Sequence, residues 1–130
     1  MRIAVYGTLR EGESRAGAFK EFGKITSRKI KTLRGFKMFD LGDYPAAFET
    51  GDENDEIVVE LLDFKGNEKE LLKLLDQLEG VQYGYYKRKY IKIDGKKVLI
   101  YVMNDVYFDR VSRLYPVIKD WKVREAVANT

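Results

Sequence analysis

The chain contains neither cysteine nor histidine, which narrows its chemistry before any fold is considered. Thiol nucleophiles, Ser–His–Asp relays, imidazole acid–base catalysis and the usual zinc sites each need one of the two. A proton-transfer group is therefore sought first among aspartates and glutamates whose pKa is set by their surroundings, and only then among lysines and tyrosines. Glu79 stands out. It follows a leucine-rich stretch, four residues from Leu75 and seven from Leu72, and directly precedes Gly80. At about 100° per residue it falls on the flank of the leucine stripe and not on the solvent face. The C-terminal end of a helix disfavours negative charge, as does partial burial, so both raise the pKa of a carboxyl placed there. The plain alternative is a glutamate that reaches solvent or pairs with Lys87 or Arg88.

A second candidate is the stretch VYGTLR at residues 5–10. The apolar run RIAVY stops at Gly7, and Thr8 and Leu9 lead into the charges of Arg10 and Glu11. It reads either as a strand entering a turn or as a loop whose successive N–H groups face an anion. Tyr83, Tyr85, Tyr86 and Tyr90 read as strand packing with hydroxyls at the rim.

These residues need elements to hold them. Asn67 can cap a helix over 68–78, with Glu70 three residues on in the manner of a capping box. Leu71, Leu74, Leu75 and Leu78 form its buried stripe, and Gly80 ends it. Strands are predicted after Met1, near 24–33, at 36–40, over IVVELLDF at 57–64, at 86–93 and at 97–103. Asp94-Gly95 joins the last two as a two-residue hairpin. A weaker helix is predicted within 14–22 and a partly helical tail near 117–127. The acidic stretch 52–56 reads as an exposed loop. Strands with few helices give an α+β domain on a curled sheet.

The 45% hydrophobic and 13% aromatic content suits a chain that buries a core, and 130 residues suit one domain spanning 1–130. No apolar run reaches the roughly 20 residues of a membrane span, and no secretory leader is recognised. The expected location is the cytoplasm. The net charge of +3, from 24 basic and 21 acidic residues, reads as a mixed solvated surface. It gives little support to a nucleic-acid partner, for which Lys87, Arg88, Lys89 and Lys92 among tyrosines would be the face.

Taken together, VYGTLR, GDYPAAF at 42–48, LDQLEG at 75–80, YYKR at 85–88 and KDW at 119–121 resemble the gamma-glutamylcyclotransferase-like family. The likeness is strongest to its short gamma-glutamylamine cyclotransferase branch. It covers nearly the whole chain and departs at Val59, where the family has glycine, and at Lys119 in the tail motif. The resemblance implies a small mixed β-barrel of about six strands with a few packed helices, and 107–130 as a docked C-terminal extension. It implies that Tyr6, Gly7, Thr8 and Leu9 bind a glutamyl group, that Glu79 shuttles the proton, and that Tyr86 and Arg88 line or brace the pocket. The activity implied is release of 5-oxoproline and a free amine from a γ-glutamyl substrate, with no metal, no cofactor, no nucleic acid and no membrane. A binding or scaffold protein on the same fold shares every motif and is the alternative. Neither the leaving amine nor the oligomeric state is readable from the sequence.

Overall fold

The first strand decides the layering. In the computed structural model, which describes residues 1–123, β1 (Arg2–Val5) is buried on both faces. Ile3 and Val5 turn to one side, Ala4 and the following Tyr6 to the other. Such a strand needs neighbours at both edges and cover on both faces. Its neighbours are β5 (Glu56–Gly66), antiparallel, and β7 (Lys96–Met103), parallel. β2 (Gly23–Arg34) and β6 (Tyr86–Ile93) complete a five-stranded sheet in the order β2-β5-β1-β7-β6.

Helix α1 (Glu68–Leu78) and a 3₁₀ turn at Ala16–Glu21 cover one face, with Leu71, Leu75 and Phe19 packed against Ile3, Val5 and Leu62. A second sheet covers the other, ordered β4 (Pro45–Glu49), β3 (Phe36–Asp40), β8 (Val117–Ile118). Its Met38 and Ala47 meet Ala4, Val59 and Ile100. Helix α2 (Phe108–Leu114) closes the outer side of this sheet, where Phe108 stands edge-on to Phe48 with ring centres 5.1 Å apart.

The α+β class stands, and no closed barrel is detected among the described residues. The described residues form eight strands in two sheets, and the larger sheet ends at unjoined edges, β2 and β6. The β4 strand escaped the sequence reading because its alanines have low strand propensity. Ala46 and Ala47 are fully buried there. The helix expected within 14–22 is only the 3₁₀ turn. The tail helix expected near 117–127 lies earlier, as α2. Pro116 holds Tyr115 extended (φ −125°, ψ 148°) and stops the helix before the expected span. The chain then forms β8 and a 3₁₀ turn at Trp121–Val123, and 124–127 lie outside the described residues.

The signals at the two ends of α1 hold with one exception, and in its apolar stripe Leu72 takes the place expected of Leu74 beside Leu71, Leu75 and Leu78. Asn67 accepts the Glu70 N–H at 3.2 Å, but the capping box is not reciprocal. The Asn67 N–H goes to the Phe22 carbonyl at 2.7 Å. Gly80 ends the helix at φ 65°, and Asp94-Gly95 forms the tight hairpin with both φ positive (52° and 77°). Val59 pairs with Lys31 in regular register, so its departure from the family's glycine introduces no irregularity there. No described helix is long and apolar enough to cross a membrane.

Candidate active site

A cavity of about 350 Å³ opens where the end of β1 meets the C-terminal end of α1. The loop Tyr6–Leu9 and the segment Leu78–Gly80 line it, together with Tyr86 from β6 and Tyr101 from β7. Five of the residues singled out in the sequence for substrate binding (Tyr6, Gly7, Thr8, Leu9 and Tyr86) thus share one cavity with Glu79.

The loop is fixed by bonds that leave part of its backbone free. The Tyr6 hydroxyl donates to the Tyr101 carbonyl at 2.7 Å. The Arg10 N–H closes on the Gly7 carbonyl at 3.0 Å, and the Arg15 N–H on that of Thr8 at 2.8 Å. The N–H groups of Gly7, Thr8 and Leu9 take no part in the turn and loop hydrogen bonds of the described residues. Consecutive donors of this kind suit an anion. Gly7 has a packing reason for its missing side chain. A Cβ there would lie 2.4 Å from Pro45 Cγ, so the glycine makes room for the protein's own proline.

Behind the loop sits a buried charge cluster. Arg10 Nε meets Glu60 Oε2 at 2.9 Å, and its Nη1 meets Asp120 Oδ1 at 2.6 Å. Glu60 also accepts from the Glu11 N–H and from Arg28 Nη1, each at 2.9 Å. Burial would raise the Glu60 pKa, but the Glu11 N–H and Arg10 outweigh it and hold the carboxyl below its ordinary range. Beside the cluster, the buried Trp121 donates its indole N–H to Glu13 at 2.8 Å.

Glu79 is the C-cap residue of α1, its N–H bonded to the Leu75 carbonyl at 2.9 Å. Burial pushes its carboxyl up to about 7, and the Arg15 cation opposes that rise. Arg15 caps the same helix end, donating to the Leu78 carbonyl at 2.8 Å. Neither pairing open to Glu79 in the sequence is made. Lys87 goes to Asp105 at 3.5 Å, and Arg88 grips Asp76 with two bonds of 2.8 and 2.7 Å. A carboxyl near 7 can both take and return a proton at neutral pH. The hydroxyls of Tyr6 and Tyr86 are pushed well up, first by burial, with Glu79 adding to it, so both stay protonated. Tyr86 donates to the Pro45 carbonyl at 2.7 Å.

Arg88 is the one predicted binding residue that does not line the cavity. It braces α1 through Asp76, which also accepts from the Tyr101 hydroxyl at 2.6 Å. Asp76 depends on these partners: burial alone would raise its pKa, but Arg88 and Tyr101 lower it. Sequence reasoning missed Asp76, although it stands one helical turn before Glu79. It also missed Arg15, for which the sequence carries no signal, and Tyr101, whose place in a continuous apolar strand gave no hint of its two bonds. Among the described residues, no group of three or more carboxylates is placed to hold a metal ion.

A sequence model of the family described as gamma-glutamyl cyclotransferase, AIG2-like, matches residues 3–123. A search of the curated proteins found no match. Among solved structures, an AIG2-like protein from Mus musculus is similar with a TM-score of 0.74 at 18% identity, covering 98% of this chain and 91% of that one. A uropathogenic E. coli-specific protein gives 0.69 at 17% identity, covering 93% and 91%. An uncharacterized protein from Pyrococcus horikoshii gives 0.64 at 21%, covering 94% and 90%. At these identities the likeness shows a shared fold.

Proposed function

The chain belongs to the AIG2-like gamma-glutamyl cyclotransferase family, and from that premise we propose that it cyclises the γ-glutamyl group of a small amide, releasing 5-oxoproline and a free amine. One observation carries the reading. An unpaired carboxyl with a pKa near 7 lines the same cavity as three consecutive backbone N–H groups outside the loop's own bonding.

The substrate brings its own nucleophile, so the protein has mainly to bend it. The N–H groups of Gly7, Thr8 and Leu9 hold the α-carboxylate, and the glutamyl chain folds its α-nitrogen toward the γ-carbonyl. Ionised Glu79 takes a proton from the α-ammonium. The freed amine attacks the γ-carbon, forming the ring C–N bond. Glu79 returns its proton to the leaving nitrogen, the old amide C–N bond breaks, and the surplus proton of the ring nitrogen leaves with the product amine as its ammonium. An amine held this way competes against water with an effective concentration of up to about 10⁵–10⁸ M. Nothing in this sequence of steps calls for a cofactor.

The test is turnover of γ-glutamyl amides in ¹⁸O-water, read by mass spectrometry. The expected product is 5-oxoproline free of solvent oxygen, and acylating the α-amine is expected to make the substrate inert. Labelled glutamate as the main product would show a hydrolase, with Glu79 activating water instead of the α-amine.

A further inference from the structure

Three tyrosines at the mouth of the cavity turn much of their surface to water. Tyr44 is 46% exposed, Tyr83 70% and Tyr85 52%, and all three line the opening. Exposed aromatic clusters beside a cavity are a usual mark of a contact surface. This one is built, not incidental. A 3₁₀ turn at Val81–Tyr83 lies between Gly80 and Gly84, both in the left-handed region (φ 65° and 76°). The N–H groups of Tyr83 and Tyr85 both close on the Gly80 carbonyl, at 3.0 and 3.3 Å. The Tyr85 carbonyl is held by the Asn104 N–H at 2.9 Å. A Cβ on Gly80 would come within 2.8 Å of Tyr85 Cδ2, so the Tyr85 ring rests on bare backbone beside Glu79. Its centre lies 5.9 Å from that of Tyr83 and 6.4 Å from that of Tyr107.

The chemistry ties this shelf to one part of the substrate. The leaving nitrogen must meet Glu79 to receive its proton, so the group it carries departs past whatever adjoins Glu79. What adjoins it is the aromatic turn. The charges at the opening add a second condition. Among the described lining residues Glu79 is the only carboxylate, and Arg15 is the only cation. A second positive charge on the amine would find no counterion while Glu79 is protonated, and would face Arg15.

Resting on the cyclotransferase reading, we infer that the preferred leaving amine carries an uncharged aromatic ring, stacked on Tyr83 and Tyr85. An aromatic pair beyond simple burial corresponds to about a tenfold preference.

The test compares three probes: γ-glutamyl phenethylamide, γ-glutamyl ethylamide and γ-glutamyl 2-aminoethylamide. The expected order of kcat/KM is phenethyl above ethyl above aminoethyl, with phenethyl about tenfold over ethyl. Tyr83→Ala is expected to lower the phenethyl-to-ethyl ratio several-fold, the Tyr83→Ala/Tyr85→Ala double variant to bring it close to one, and Tyr83→Phe to preserve it. An equal or reversed ratio in the wild-type protein overturns the inference and leaves cyclotransfer standing. If no probe yields 5-oxoproline, calorimetry of the same probes with Glu79→Gln decides. Tighter phenethylamide binding that the Tyr83→Ala/Tyr85→Ala double variant abolishes keeps the aromatic shelf and rejects cyclotransfer, whereas absence of any binding preference rejects both.

Discussion

Glu79 couples the stability of the protein to pH in a direction its surroundings dictate. Its carboxyl titrates near 7 in the fold against an ordinary value of 4.5. Below 4.5 both folded and unfolded forms hold the proton, and the residue has no pH-linked effect. Between the two values the unfolded chain releases it first, so stability falls as pH rises, by about 3 kcal/mol once pH passes 7. Glu79→Gln is therefore expected to melt above the wild type at pH 8, with the gap closing toward pH 4.5, while turnover drops by about 10²–10⁴. The wild-type rate should show an acid limb near pH 7. Arg15→Leu should move that limb upward, since the Arg15 cation favours the ionised form. A Gln variant with a melting gap independent of pH would mean that the carboxyl is solvated. The place of Glu79 at a helix end, and the sign of its shift, were readable from leucine spacing and Gly80. The prior claim of Asp76 on Arg88 was not, because it depends on a tertiary contact between a side chain of α1 and one of β6.

Between elements, the contact that shapes the site is the one where β4 begins. Pro45 packs into the space that Gly7 leaves open, and its carbonyl takes the Tyr86 hydroxyl. One short strand thus positions both the loop after β1 and a tyrosine of β6. Gly7→Ala is expected to cost about 1–3 kcal/mol in urea unfolding through overpacking. Pro45→Ala removes the ring atoms in the way, so the double variant should be more stable than the sum of the two single effects, by about 0.5–3 kcal/mol. Strict additivity would show that some other neighbour constrains Gly7. The sequence showed GDYPAAF as a unit but not its partner, since the meeting of Pro45 and Gly7 is a tertiary contact. Elements with strong periodicity, such as α1 and the 86–103 hairpin, were readable for the opposite reason: their signals are local. Whether the sheet closes into a barrel was not readable locally, because the edges of a sheet are settled by pairing across the whole chain.

Across the whole molecule, Arg10, Glu60 and Asp120 bring three remote segments to the back of the loop after β1. Arg10 and Glu60 are each 3% exposed, and removing the Glu60 charge leaves the buried Arg10 with Asp120 as its remaining carboxylate and takes a partner from Arg28. Glu60→Gln is expected to lose about 3–5 kcal/mol of stability by urea unfolding. A loss under 1 kcal/mol would indicate that water reaches the cluster. The same arrangement has a bearing on the order of events during synthesis. Arg10 and Asp120 are 110 positions apart, and a ribosome working at about 5–20 residues per second takes roughly 5–20 s to cover that stretch. Throughout that interval the loop after β1 carries a guanidinium missing one of its two carboxylates. The β1–β5 framework can pair while the chain is still being made, but Asp120, which clamps the loop, is added only afterwards. A nascent chain arrested before Asp120 would therefore display its sheet with the loop after β1 still short of one clamp, and the cavity beside that loop would mature later than the sheet.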